Sequence, residues 1–204
     1  MHGTDNNEME RRQVQSTPLT REGEIIMTTE HADQIGAVEA EIVVDGEGLT
    51  NVEVIIVPEG SVRREIIIQV ANKTGIATEE AILFIEDSDE PLELDVVINE
   101  DPNAGKVHHV HRARKIEVSV HYQGNIKIKS FPPSARIQVV LEWAVSSECF
   151  NIDHAIAPEM ELALHGETKE LPKQAHIGRY VQHPHNELNL DLIRGVVPNG
   201  CELL

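Results

Sequence analysis

One pattern recurs along this chain and limits what it can fold into. Ser61-Val-Arg-Arg-Glu-Ile-Ile-Ile and Ser134-Ala-Arg-Ile-Gln-Val-Val-Leu lie 73 residues apart, and each follows a proline-containing break. Each opens a stretch of helical periodicity that sits between a hairpin pattern and further short strands. The simplest reading is a tandem duplication of one small α+β unit. The 204 residues are enough for two such units, since small domains begin at about 50 residues and two of roughly 80–100 would fill the chain.

In the first unit, Val38–Val44 and Asn51–Val57 read as strands joined by the turn Asp45-Gly-Glu-Gly48, which predicts a β-hairpin. Ser61 stands where a helix N-cap belongs, and the helix is expected to run to about Thr74, with Gly75 as its stop. Ala81–Ile85 reads as a buried strand, Glu86–Pro91 as a solvated acidic turn, and Leu92, Leu94, Val96 and Ile98 alternate as a closing strand. The second unit repeats the order. Ile116–Tyr122 and Asn125–Phe131 form the hairpin, Ser134 caps a helix carrying Ile137, Val140, Leu141 and Ala144, and Met160, Leu162 and Leu164 mark a middle strand. Glu167–Asn186 is polar, with room for a short edge strand, and Leu188, Leu190 and Leu192 alternate as the final strand. The expected division is 1–36 as a disordered extension, 37–101 as the first domain, 102–114 as a His-rich basic linker, 115–195 as the second domain and 196–204 as a flexible tail. Met27 is an alternative start for the chain.

Charge separates the two units. Residues 37–104 carry 17 acids and 3 bases, whereas residues 106–200 carry 10 acids and 11 bases. The net charge of −18 disfavours generic binding to nucleic acid or to an anionic membrane. With no run approaching a membrane span, no apolar leader and only Cys149 and Cys201 as thiols, a cytoplasmic protein is expected. Aromatic residues are 3% of the chain, so its core is expected to be aliphatic. His108, His109 and His111 have no carboxylate or cysteine at ligand spacing in the sequence, so no metal and no cofactor is expected there. Enzymatic readings are weak too. Cys149 closes a helix and is expected to face the core, and His183-Pro184-His185 reads as loop.

A hairpin, one crossing helix and two further strands is the order of the β-grasp fold, and the second unit resembles ubiquitin. Leu188-Asn-Leu-Asp-Leu-Ile-Arg-Gly195 is similar to the alternating leucine strand that runs into the ubiquitin terminus. Glu161-Leu-Ala-Leu-His-Gly166 fits the middle strand and turn. Two such units in one chain resemble the two-domain bacterial ubiquitin-like modifiers of antiphage conjugation operons, and through them the interferon-induced tandem modifier of vertebrates. The resemblance implies a non-catalytic protein modifier with two tandem β-grasp domains. Its C-terminal glycine carboxylate would be adenylated by an activating (E1-like) enzyme, passed to a conjugating (E2-like) enzyme and joined to target amines, phage structural proteins among the candidate targets. A zinc metallopeptidase would first cut between Gly200 and Cys201. Gly200 is preferred as the reactive carboxylate, because Val196, Val197 and Pro198 add reach beyond Gly195, which is the alternative. Ile193, Arg194, Gly195, Val196, Val197 and Pro198 would be read by the partner enzymes. Ala163 and Asp191 occupy the positions of the ubiquitin binding patch, so readers of that patch would bind poorly. Alternatives are a sulfur carrier, a non-conjugating interaction module, or a protein prenylated at Cys201-Glu-Leu-Leu204.

Overall fold

A computed structural model of the protein describes residues 39–98 and 105–195. The expected N-terminal extension, part of the expected linker and the tail from Val196 onward lie outside the described residues. Two sheets are present, each of four strands, and they share one topology. In the first, β1 (Glu39–Gly46), β2 (Glu53–Pro58), β3 (Ile82–Ile85) and β4 (His108–His111) lie in the order β2-β1-β4-β3. In the second, β5 (Ile116–Tyr122), β6 (Asn125–Phe131), β7 (Met160–Leu164) and β8 (Glu187–Arg194) lie in the order β6-β5-β8-β7. The central pairs β1–β4 and β5–β8 are parallel, and the outer pairs are antiparallel. A helix crosses one face of each sheet: α1 (Arg64–Thr74) in the first and α2 (Ile137–Val145) in the second. These are two tandem β-grasp domains.

Each core is the layer between helix and sheet. Ile42, Val44, Ile55 and Val57 from the first hairpin meet Ile66, Ile67 and Val70 of α1. In the second domain, Val118 and Val120 of β5 and Leu188, Leu190 and Leu192 of β8 meet Ile137, Val140, Leu141 and Ala144 of α2. Burial of these aliphatic side chains is the main stabilising term, at roughly 25 cal/mol per Å² of apolar surface. α1 ends as the sequence predicts, on Gly75 in the left-handed region (φ 77°), whose amide donates to the Ala71 carbonyl at 2.8 Å. Among the described residues no helix is long and apolar enough to cross a membrane.

Two expectations are corrected. The closing strand of the first sheet is not Leu92–Ile98 but His108–His111, which the sequence assigned to a linker. All four residues of β4 are buried. Val110 faces the core, and His109 and His111 face the second domain, so the polar–apolar alternation that marks a half-solvated strand is missing. Residues 92–98 pack instead alongside the start of α1, through a bridge between Val62 and Val97. The second domain has a counterpart at residues 171–177, bridged from Arg136 to His176.

Those segments also explain the second correction. Neither Ser61 nor Ser134 caps its helix: the N-cap residues are Arg63 and Arg136, and neither makes a side-chain cap bond. The helix amides are taken up by the adjacent segment. Arg63 and Arg64 donate to the Val96 and Leu94 carbonyls at 3.0 Å each, and Ile137 and Gln138 to those of Ala175 and Lys173 at 2.9 Å each. A serine cap is redundant once a crossing strand supplies these acceptors.

The β1–β4 pairing depends on Gly46. A Cβ there would strike the Val110 carbonyl, which accepts the Glu47 amide at 2.9 Å. Gly46→Ala is expected to cost about 1–3 kcal/mol, as overpacking does, measured by urea unfolding. If residues 108–111 were a linker, the change would leave the midpoint unmoved.

Candidate functional site

The end of β8 carries Arg194 and, just beyond it, Gly195, two of the expected site residues. β8 lies between β5 and β7, so it leaves the middle of the sheet. Arg194 pairs with Glu159 (Nε–Oε2, 2.5 Å), and the Gly195 amide donates to the Glu159 carbonyl at 2.7 Å. A Cβ on Gly195 would lie 3.0 Å from Glu161 Cγ and 3.2 Å from Glu170 Oε1. Gly195 is therefore pinned against the domain body. Val196, Val197, Pro198, Gly200 and Cys201 lie outside the described residues.

The outer face of the second sheet carries the remaining expected site residues. Ile193 pairs with Glu161, and Ala163 with Asp191, in the β7–β8 register. Ala163 is fully buried, with Glu170 bridged beside it. The Asp191 carboxylate accepts the Gly166 amide at 2.8 Å and bonds His165 Nδ1 at 2.8 Å. Burial pushes the Asp191 carboxyl up. The Gly166 and His165 hydrogen bonds and the neighbouring imidazoles outweigh this and hold it below the usual range. His121, the β5 partner of Asp191, stacks on His165 with centroids 4.1 Å apart. Together with Ile193 and the Gln123-Gly124 turn they line a cleft of about 380 Å³. The exposed apolar residues of this face are Ile126 and Ile128, at the β6 edge. The histidine pair was missed in the sequence, although alternation along β5 places His121 on this face and His165 directly follows β7.

The contact between the domains was not expected from the sequence. Asp45, near the end of β1, and Glu47, just beyond it, lie on the outer face of the first sheet, beside His109 and His111 of β4. A short 3-10 turn of the second domain, Ile177–Tyr180, packs there. Asp45 is fully buried, bonds His176 Nδ1 at 2.8 Å, accepts from Arg179 Nε at 3.2 Å and lies 2.9 Å from Arg179 Nη2 as an ion pair. Burial pushes its carboxyl up, but the His176 bond, the field of His109 and the Arg179 guanidinium bring it down to about 2. Glu47 accepts from Arg112 Nη2 at 2.6 Å and from the His183 amide at 2.7 Å. His111 accepts the Ala113 amide on Nδ1 at 2.8 Å and reaches the Val181 carbonyl with Nε2 at 3.1 Å. That assigns the Nε2–H tautomer, and burial lowers the pKa of this imidazole. The acidic turn Glu86–Pro91, expected to be solvated, joins the same contact. Asp87 pairs with Arg136, and Ser134 Oγ donates to the Ser88 carbonyl at 3.1 Å. Cys149 is buried among apolar neighbours, which pushes its thiol up and leaves it a poor nucleophile.

Asp45→Asn is expected to destabilise the chain by about 3 kcal/mol, because it leaves the Arg179 charge without its carboxylate. The sign with pH follows from the lowered value. A carboxyl near 2 when folded and 3.8 when free stabilises fully above 3.8 and loses that contribution as the pH falls towards 2. The gap in Tm between wild type and Asp45→Asn should therefore be constant near neutrality and narrow below pH 3.8, as measured by calorimetry.

The family described as BilA ubiquitin-like domain 2 matches residues 117–195. No curated protein matches the chain. The match spans the second sheet and α2 and stops at Gly195, where β8 leaves the body. Fold and match together make residues 117–195 a ubiquitin-like domain similar to the second one of BilA.

Proposed function

We propose that this chain is a ubiquitin-like protein modifier of a bacterial antiphage conjugation system, working in the cytoplasm and joined to targets through the carboxylate of Gly200. The observation that carries this reading is the match to a BilA ubiquitin-like domain, ending at a strand that delivers the chain to Gly195. Nine residues follow, with Gly200 among them. A metallopeptidase removes Cys201–Leu204. An activating enzyme joins the freed carboxylate to the AMP moiety of ATP, with loss of pyrophosphate. Its cysteine thiolate then displaces AMP, a conjugating enzyme accepts the acyl group, and a target amine, such as a lysine on a phage structural protein, expels the thiolate to give an isopeptide bond.

Geometry favours Gly200 over Gly195. A carboxylate entering an adenylation site needs clearance on all sides. Gly195 is held by the Glu159 carbonyl and crowded by Glu161 and Glu170. Five further residues extend the reach by up to about 17 Å. Glycine at the reacting position also leaves the least bulk beside the carbonyl. The chain supplies no catalytic group of its own to this chemistry. Rigid body and free terminus are its contribution.

Co-expression with the neighbouring peptidase, activating and conjugating enzymes is expected to give a product ending at Gly200 by intact mass, and amine-linked adducts on denaturing gels. Gly200→Arg should abolish the adducts, and Gly195→Ala should leave most of them. Adducts that survive Gly200→Arg, or a mass ending at Gly195, would overturn the choice of glycine. Absence of any adduct with the complete enzyme set would overturn the modifier reading.

A further inference from the structure

We propose that Asp45, His109 and His176 bind a divalent transition cation of the zinc class, which fastens the first β-grasp domain to the second. The three side chains are essentially shut off from solvent, at 0%, 0% and 1% exposure. One possible ligand atom from each lies within 4.8 Å of the others. Asp45 and His109 are partners in the parallel β1–β4 register, and His176 enters from the second domain, just before its 3-10 turn. Two ligands thus come from one domain and one from the other.

The cluster carries unmet polar demand. Neither ring nitrogen of His109 has a hydrogen-bond partner among the described residues, and neither does Nε2 of His176. Burying an imidazole with both nitrogens unpaired is costly, so such groups ordinarily meet a protein partner, a water or an ion. The ring positions suit an ion. The His109 and His176 centroids are 5.1 Å apart, with planes at 75°. Two imidazoles on one tetrahedral zinc, with Zn–N of about 2.0–2.1 Å, place their centroids about 5 Å apart. The Nδ1 of His176 lies 2.8 Å from the Asp45 carboxylate, so the two can share one ion, and Glu86 Oε1, 3.5 Å from Nε2, stands where the carboxylate that orients a metal-bound histidine belongs.

The charges around the site are mixed. Arg179 is the nearest opposing charge, 2.9 Å from Asp45. Arg112 is taken up by Glu47, and Arg136 is shared between Asp87 and Glu86, 3.9 Å from Glu86 Oε1, which leaves Asp45 to face Arg179 and the cation. The other histidine–carboxylate group, His121, His165 and Asp191, differs in kind. Its rings are stacked at 4.1 Å and 24°, closer than a tetrahedral pair allows, and His165 is half exposed. That group therefore serves as the internal control. The proposal does not depend on conjugation. It concerns the folded chain alone.

The full chain, stripped of metal with a chelator and dialysed, is titrated with Zn²⁺ by calorimetry and followed by thermal unfolding. One Zn²⁺ per chain is expected, with a Tm that rises with free Zn²⁺. His109→Gln and His176→Gln should each weaken binding at least ~10-fold, and His165→Gln should leave it unchanged. No near-stoichiometric binding overturns the proposal. So does binding indifferent to both glutamine variants, or binding abolished by His165→Gln. Should the variants fail to fold, X-ray absorption of the zinc-loaded wild-type chain decides: two imidazoles in a four-coordinate N/O shell support the site, and fewer than two histidines overturn it.

Discussion

The parallel pairing of first and last strands sets everything else in this molecule. β1 lies beside β4 and β5 beside β8, so each domain begins and ends at the centre of its own sheet. A parallel pair cannot be joined by a tight turn, and the chain must cross one face, which each helix does. The same pairing ends the first domain on β4 at His111 and begins the second on β5 at Ile116. Four residues separate them, so the strand ends lie at most about 18 Å apart. Two sheets tethered so closely must share a surface. The surface they share is the outer face of the β1–β4 pair, which explains why it carries Asp45, Glu47, His109 and His111 rather than solvent-facing polar residues.

That shared surface is polar and buried, an unusual combination for a contact between domains. Asp45 and Glu47 are buried, but each carboxylate has several donors, and the guanidiniums of Arg179 and Arg112 neutralise them. Pairs of this kind add little net stability, because desolvation offsets most of the attraction. Their effect is on geometry. A displaced or rotated second domain would strand two buried carboxylates, whereas an apolar contact would tolerate slippage. The contact therefore fixes orientation, and the acid excess of residues 37–104 proves to be partly interface and not wholly solvated surface.

What was legible in the sequence follows from how many sides of an element are covered. β8 sits with one face on the core and the other open, so its leucines alternate, and it was found along with the hairpins and both helices. β4 has both faces covered, so His108-His109-Val110-His111 carries no alternation and read as linker. Leu92, Leu94, Val96 and Ile98 do alternate, but their backbone groups serve the start of α1, and alternation alone does not reveal where hydrogen bonds go. The serines misled for a related reason. Ser134 lies in a turn that reaches the first domain, and its hydroxyl is used by the Ser88 carbonyl. The carboxylate beside His109 comes from Asp45, 64 positions earlier and adjacent only through the parallel register, which no local spacing shows.

The open face of the second sheet limits what could bind there. At its centre stand Asp191, His165 and His121 rather than an apolar patch, with the flat apolar surface displaced to Ile126 and Ile128 at the β6 edge. Both Asp191 oxygens are already engaged, by the Gly166 amide and by His165. A partner that pressed an apolar residue onto this centre would strip water from a carboxylate held ionised and offer no new donor, and burial of that kind is costly. A partner suited to this face must bring hydrogen-bond donors to the middle and apolar side chains to the edge. Under the proposed function, selectivity against readers of the ubiquitin patch would arise from an unfavourable contact with the wrong partner as much as from a favourable one with the right partner.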